Sequence, residues 1–253
     1  NVGALTIGSE SDATIGAQAT HFTVVRVKRD LLRRSSVGLI YAGRSLSRTG
    51  SGSNQTFGID GAFRFFTNLS MSSYWARTTT NGVSARADSY RAQIDYAGDR
   101  YGAQVEHLTV GQRFNPEAGF VQRLDMRRTF GQFRFSPRLR SHKTIRKISS
   151  VGALTYIENT RGRLETRKGE GTFTVDFHSG DQFAANYVNT YDALPAPFQV
   201  ATGVVLPVDE YSFGAGRVSF TGGRQRMLSG TVAIENGTFY NGKRTTFGVT
   251  ASR

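Results

Sequence analysis

The residues best suited to chemistry in this chain are charged and amide side chains that recur at every second position between apolar ones. Arg26 and Lys28 alternate with Val25 and Val27, and Arg91, Gln93 and Asp95 alternate with Tyr90, Ala92, Ile94 and Tyr96. Gln104 and Glu106 alternate with Ala103 and Val105, and Gln132 and Arg134 with Phe133 and Phe135. Arg64, Arg217 and Glu235 complete the set. Successive side chains of a strand point to opposite faces, so each run carries one polar, charged face and one apolar face. Such a set binds by charge and has no activated nucleophile. A surplus of guanidinium groups beside low-dielectric walls draws anions. The competing reading is that the charges pair across strands and simply fill the space between them.

Covalent and metal chemistry find little support. The chain has no cysteine, hence no disulfide, thiolate or thiolate metal site. His21, His107, His142 and His178 are scattered without ligand spacing, so neither a metal nor another cofactor is expected. A Ser-His-Asp triad assembles in space, but no serine here has the context of a nucleophile. A hydrolase remains the remote alternative. Gly214-Ala-Gly216 and Gly222-Gly223 are not followed by helical patterns and read as strand and turn glycines, not as phosphate cradles. The loop Phe114-Asn-Pro-Glu-Ala-Gly-Phe120 has two readings, and the preferred one is an Asn-Pro turn with aromatic anchors. The other is an external loop that folds inward or meets a partner.

The elements that must position these residues are strands. The 253 residues include 29 Gly, 18 Phe and 10 Tyr but only 5 Pro, and no segment has the three-to-four-residue apolar period of an amphipathic helix. About fourteen strands are expected, near 2–8, 21–28, 36–44, 55–66, 69–78, 88–97, 101–111, 126–136, 148–157, 164–178, 182–190, 211–221, 225–235 and 244–252. Phe173, Val175 and Phe177 share one face, as do Leu228, Val232 and Ile234. With Val25, Val27, Tyr90, Ile94 and Tyr96 they form the candidate lipid-facing set.

Connections at 29–35, 67–68, 98–99, 179–181 and 222–224 are short. Those at 45–54, 79–87, 112–125, 191–210 and 236–243 are long. Connections 137–147 and 158–163 break this parity. Short turns on one rim and longer loops on the other characterise transmembrane barrels, whereas Greek-key sandwiches mix the two. The expected fold is therefore all-β, an antiparallel up-and-down transmembrane β-barrel. Asn1–Ile7 reads as mid-strand and not as a signal peptide, and 246–252 also reads as strand. The expectation is an interior piece of one barrel domain, truncated at both ends.

Several runs support a more specific resemblance. They are Phe22-Thr-Val-Val-Arg-Val-Lys-Arg-Asp30 with Arg33-Arg-Ser-Ser-Val-Gly38, Ser53-Asn-Gln-Thr-Phe-Gly-Ile-Asp-Gly61, Ser73-Tyr-Trp-Ala-Arg77, Ser89-Tyr-Arg-Ala-Gln-Ile-Asp-Tyr-Ala-Gly-Asp-Arg-Tyr-Gly102, Phe114–Phe120 and Met126-Arg-Arg-Thr-Phe-Gly-Gln-Phe-Arg-Phe-Ser-Pro137. Together they resemble the C-terminal region of bacterial proteins carrying domain-of-unknown-function family 5916, strongly over 20–137 and more weakly beyond. The resemblance implies an outer-membrane barrel, usually preceded by a family-9-type carbohydrate-binding module, and supplies no catalytic residues.

The expected function is a pore or uptake channel with a basic lumen for anionic or carbohydrate-derived solutes. The alternative is a closed or plugged barrel acting as an envelope scaffold. Expected partners are outer-membrane lipid, lipopolysaccharide phosphates and envelope proteins. Nucleic acid is not expected despite a formal charge of +13, because the cations are scattered and form no stripe interleaved with aromatics.

Overall fold

The computed structural model describes residues 1–14, 16–48, 51–81, 87–225 and 229–252. The backbone is all strand and turn. The strands are β1 (Val2–Ser9), β2 (Thr20–Leu31), β3 (Ser35–Arg44), β4 (Ser51–Phe65), β5 (Leu69–Asn81), β6 (Asp88–Ala97), β7 (Tyr101–Val110), β8 (Met126–Phe135), β9 (Ile145–Glu158), β10 (Leu164–Phe177), β11 (Gln182–Ala193), β12 (Phe198–Ala201), β13 (Val204–Leu206), β14 (Glu210–Thr221), β15 (Ser229–Phe239) and β16 (Gly242–Ser252). Among the described residues fourteen of these form one antiparallel up-and-down sheet in chain order, with β1 and β16 at its ends. β12 and β13 make a separate small hairpin inside the connection from β11 to β14.

The contacts gather into two compact units. One comprises 1–95, 106–128 and 159–162, and the other 96–105, 129–158 and 163–253.

In the first unit the registers line up Val2, Val27, Leu39, Ile59 and Trp75 as one cross-strand row. All five side chains are exposed. The opposite face of β4 and β5 carries Asn54, Thr56, Thr78 and Thr80, and all four are buried. In the second unit Phe173, Ala185, Val218, Ile234 and Phe247 form a comparable row. The four large side chains of that row are exposed. Phe183, Phe220, Val232 and Val249 form the next row on the same face.

In β4 and β5 this is the reverse of a sheet that buries its apolar face and wets the polar one. Among the described residues the buried apolar side chains are Val110, Phe114, Val175, Ala193, Leu206 and Ala233. Scattered surface hydrophobes are normal in any protein, but continuous rows of them are not.

Three hairpin turns use one device. Leu32, Phe66 and Tyr240 each follow a strand end in the left-handed region, at φ 56°, 55° and 51°. The backbone reverses there in two or three residues, and no glycine is needed. One sequence expectation changes at this level. The long connection over 236–243 is a two-residue turn, Tyr240-Asn241, because β15 continues through Asn236 and Gly237 to Phe239. The strand expected near 225–235 is described from Ser229 onward, and Leu228 lies outside the described residues.

Candidate functional site

Alternation puts the predicted charged residues on the polar face, and the registers decide which of them meet. Arg26 reaches Asp60 with two hydrogen bonds, Nη1 to Oδ2 at 2.5 Å and Nη2 to Oδ1 at 2.8 Å. The path crosses Gly38, whose missing side chain makes room: a Cβ there would lie 2.5 Å from Arg26 Nη2. Both partners are about one-third exposed, so this pair adds little stability but aligns β2 with β4.

Glu106 is the most enclosed acid of the set, its side chain 6% exposed. Arg91 Nε donates to Glu106 Oε2 at 2.7 Å, and Arg128 Nη1 lies 3.2 Å from Oε1. Arg91 also donates to Gln93. The second unit repeats the constellation. Glu235 accepts from Arg244, and Arg217 Nη1 lies 4.0 Å from its other oxygen. Each acid is shared by two guanidinium groups, and at Glu235 this keeps one positive charge in excess. Cross-strand pairing is thus present at both acids.

The remaining predicted polar residues behave differently. Arg134 spends its guanidinium on the 98–100 turn: Nη1 donates to Asp99 O at 3.1 Å, and Nη2 donates to Gly98 O. Arg138 pairs with Asp99 at 2.8 Å, and that hydrogen bond is the main cause holding the Asp99 carboxyl below its ordinary value. Lys28 and Arg64 are exposed, while Asp95, Gln104 and Gln132 are half-buried. Of the apolar set, Val27, Tyr90, Ile94, Tyr96, Phe173, Val232 and Ile234 are exposed, and Val25 and Phe177 are half-buried. Val175 lies on the same face but is buried, in register with Ile148 and Phe183.

The loop 111–125 is folded onto the polar face of the first unit. Asn54, 1% exposed, donates from Nδ2 to Thr80 Oγ1 at 2.7 Å and to Asn115 O at 2.9 Å. Its Oδ1 accepts from Glu117 N at 3.1 Å, and Asn115 N donates to Thr78 Oγ1 at 3.1 Å. The Glu117 carboxylate accepts from Ser47 Oγ at 2.9 Å and from Arg48 N at 2.9 and 2.8 Å, with Arg44 Nη1 at 3.6 Å. Only one of the two expected aromatic anchors is one, since Phe114 is buried and Phe120 is 88% exposed. The loop is therefore more than a simple turn, since it is bonded to β4 and β5 on their polar face.

No known family, curated protein or solved structure matches this chain.

Sequence reasoning missed Asp60, Arg128 and Arg244, although alternation could have found them. Asp60 follows Ile59, Arg128 has the parity of Gln132 and Arg134, and Arg244 is opposite in parity to Phe247 and Val249. Nothing in the alternation shows that Phe213, Phe239 and Tyr240 gather on the polar face. Their ring centroids lie 4.8 Å (Phe213–Tyr240), 4.9 Å (Phe239–Tyr240) and 5.6 Å (Phe213–Phe239) apart. Tyr240 Oη donates to Asp192 Oδ2 at 3.0 Å. Burial first, then this bond, pushes the phenol up to about 12.

Proposed function

We propose that this chain forms part of an outer-membrane β-barrel working as a pore or uptake channel with a basic lumen. The observation that carries the reading is the continuous rows of exposed Val, Leu, Ile, Phe and Trp on one face of the sheet, opposite a face that carries the charges and buries Asn54, Thr56, Thr78 and Thr80. In hydrocarbon an apolar outer face is favourable, and every backbone N–H and C=O must find a protein partner, which a sheet achieves only by closing. The Arg217-Glu235-Arg244 cluster favours anionic solutes, because two cations share one acid there. The resemblance to the 5916 barrel family belongs to the same proposal and rests on the quoted runs alone.

The test uses the full chain in its native membrane. Resistance to carbonate washing, a heat-dependent change in gel mobility and anion-selective conductance in planar bilayers are expected. A chain that washes off and shows no mobility shift overturns the reading.

The docked 111–125 loop favours a second reading, a plugged barrel serving as a scaffold. Asn54→Ala with Glu117→Ala would release the loop. A rise in conductance marks a pore that the loop narrows. A chain that stays silent and co-purifies with an envelope protein supports the scaffold.

A further inference from the structure

On the polar face of the second unit, β10, β11, β14, β15 and β16 surround a cavity of about 270 Å³. That volume is at the small end for ligand pockets and suits one substituted ring. Three kinds of group meet there. Phe213 and Phe239 form an apolar wall, held at an interplanar angle of 72° and backed by Tyr240. Lys168, Arg217 and Arg244 supply positive charge. Asn186 and Thr190 supply neutral hydrogen-bonding groups and Glu235 a carboxylate, while the Thr238 hydroxyl is engaged with the Gly214 backbone, accepting from its N at 3.0 Å.

The charges do not cancel. Lys168 Nζ lies 2.7 Å from Glu170, and the two arginines share Glu235, so three cations face two acids. The Arg217 side chain is 52% exposed and its contact with Glu235 is the looser of the two, which leaves guanidinium N–H groups for a ligand anion. A guanidinium presents five donors in a planar fork that matches a carboxylate. The Asn186 amide nitrogen donates to Thr172 Oγ1 at 2.8 Å, turning its carbonyl oxygen towards the role of acceptor.

One class of ligand uses all three features. The C–H face of a sugar ring is apolar and packs on an aromatic side chain, its hydroxyls exchange hydrogen bonds with amide, hydroxyl and carboxylate groups, and an acid substituent needs a cation. A neutral sugar would leave the excess charge unused. An aromatic acid would satisfy the wall and the arginines but leave the Asn186 carbonyl oxygen and the Thr190 hydroxyl without hydroxyl partners, which costs binding energy. We propose that this cavity is a binding subsite for a small acidic sugar, a carboxylate on a single polyhydroxylated ring. The assignment rests on the channel reading above and names its solute class.

The experiment is calorimetric titration of the full chain in mild detergent with sodium glucuronate, glucose, sodium benzoate and sodium sulfate. Glucuronate is expected to bind at least tenfold more tightly than glucose or benzoate, with sulfate weaker still. Arg217→Gln with Arg244→Gln should weaken glucuronate at least tenfold, and Phe213→Leu should weaken it while leaving sulfate unchanged. The heat-dependent mobility shift of each variant checks that it has folded. A folded wild-type protein that ignores glucuronate, binds benzoate as well, or binds glucuronate equally after the double substitution overturns the subsite. A membrane-retained, conducting protein with any of those outcomes keeps the channel reading and loses only the subsite. Saturable glucuronate binding without conductance keeps the subsite and overturns the channel.

Discussion

Glu106 and Tyr240 show how much a single side chain on the polar face depends on its neighbours. Glu106 is enclosed and holds two guanidinium groups, Arg91 and Arg128, which are themselves about one-third exposed. Hydrogen bonds to charged groups are worth about 1.5–3 kcal/mol, less where solvent screens one partner. Glu106→Gln should therefore lower stability by about 1–2 kcal/mol, seen as a lower temperature for the gel-mobility change. It should also strengthen anion selectivity, because the cluster gains a positive charge. Tyr240 titrates at the other extreme. An ordinary phenol ionises near ~10, and this one is held neutral to about 12. The folded state thus keeps its proton better than the unfolded one. The contribution is fully present below the unfolded value and is lost as pH rises through the folded one. Absorbance at alkaline pH should show late-ionising tyrosine, diminished by Tyr240→Phe. A titration unchanged by that substitution would contradict the Tyr240–Asp192 geometry.

Strand pairing brings particular glycines into close approach. At Gly237 in β15 an added Cβ would lie 2.2 Å from Gly214 O and 2.4 Å from Ala215 Cα. These are backbone atoms and cannot swing aside as a flexible side chain can. Gly237→Ala should force β14 and β15 apart at a cost of about 1–3 kcal/mol, the usual range for overpacking. Gly216 is the control from the same sheet, since a Cβ there meets nothing within 4 Å and Gly216→Ala should be nearly neutral. Comparing the two melting temperatures decides it, and equal shifts would mean that the close approach is not real. Because Gly214 lines the acidic-sugar cavity, Gly237→Ala should also weaken glucuronate binding. The tight turn at Tyr240-Asn241 belongs to the same element, since β15 reaches it only by running on through Gly237.

At the scale of the whole molecule the exposed apolar face of the sheet is the property with the widest consequences. A charged residue on the lipid side of a barrel costs about 2–4 kcal/mol at mid-bilayer. Ile59→Arg and Ile234→Arg should each block stable membrane assembly on the proposed reading. Gln93→Arg, on the polar face beside Glu106, should assemble and conduct. Carbonate extraction of the three variants measures this directly, and equal tolerance would argue for an aqueous surround on both faces.

Alternation was legible in the sequence because a strand has a period of two. It yielded the strands, the two faces and most of the polar set, from Arg26 to Glu235. Composition and the absence of a helical period made the chain all-β before any contact was known. Cross-strand neighbours follow from register, which depends on every turn at once, so a single-strand pattern does not contain them. The partnership of Arg26 with Asp60 over Gly38, the sharing of Glu106 and Glu235 by two arginines each, and the docking of Glu117 onto Ser47 and Arg48 therefore had to come from the tertiary structure. The loop over 236–243 was misjudged for the same reason. Asn236-Gly237 looks like a turn locally, and pairing on both sides, Gly237 with Ala215 of β14 and with Arg244 of β16, makes it strand. The aromatic cluster of Phe213, Phe239 and Tyr240 joins residues from two strands and a turn, and its place beside three cations was decided by folding alone.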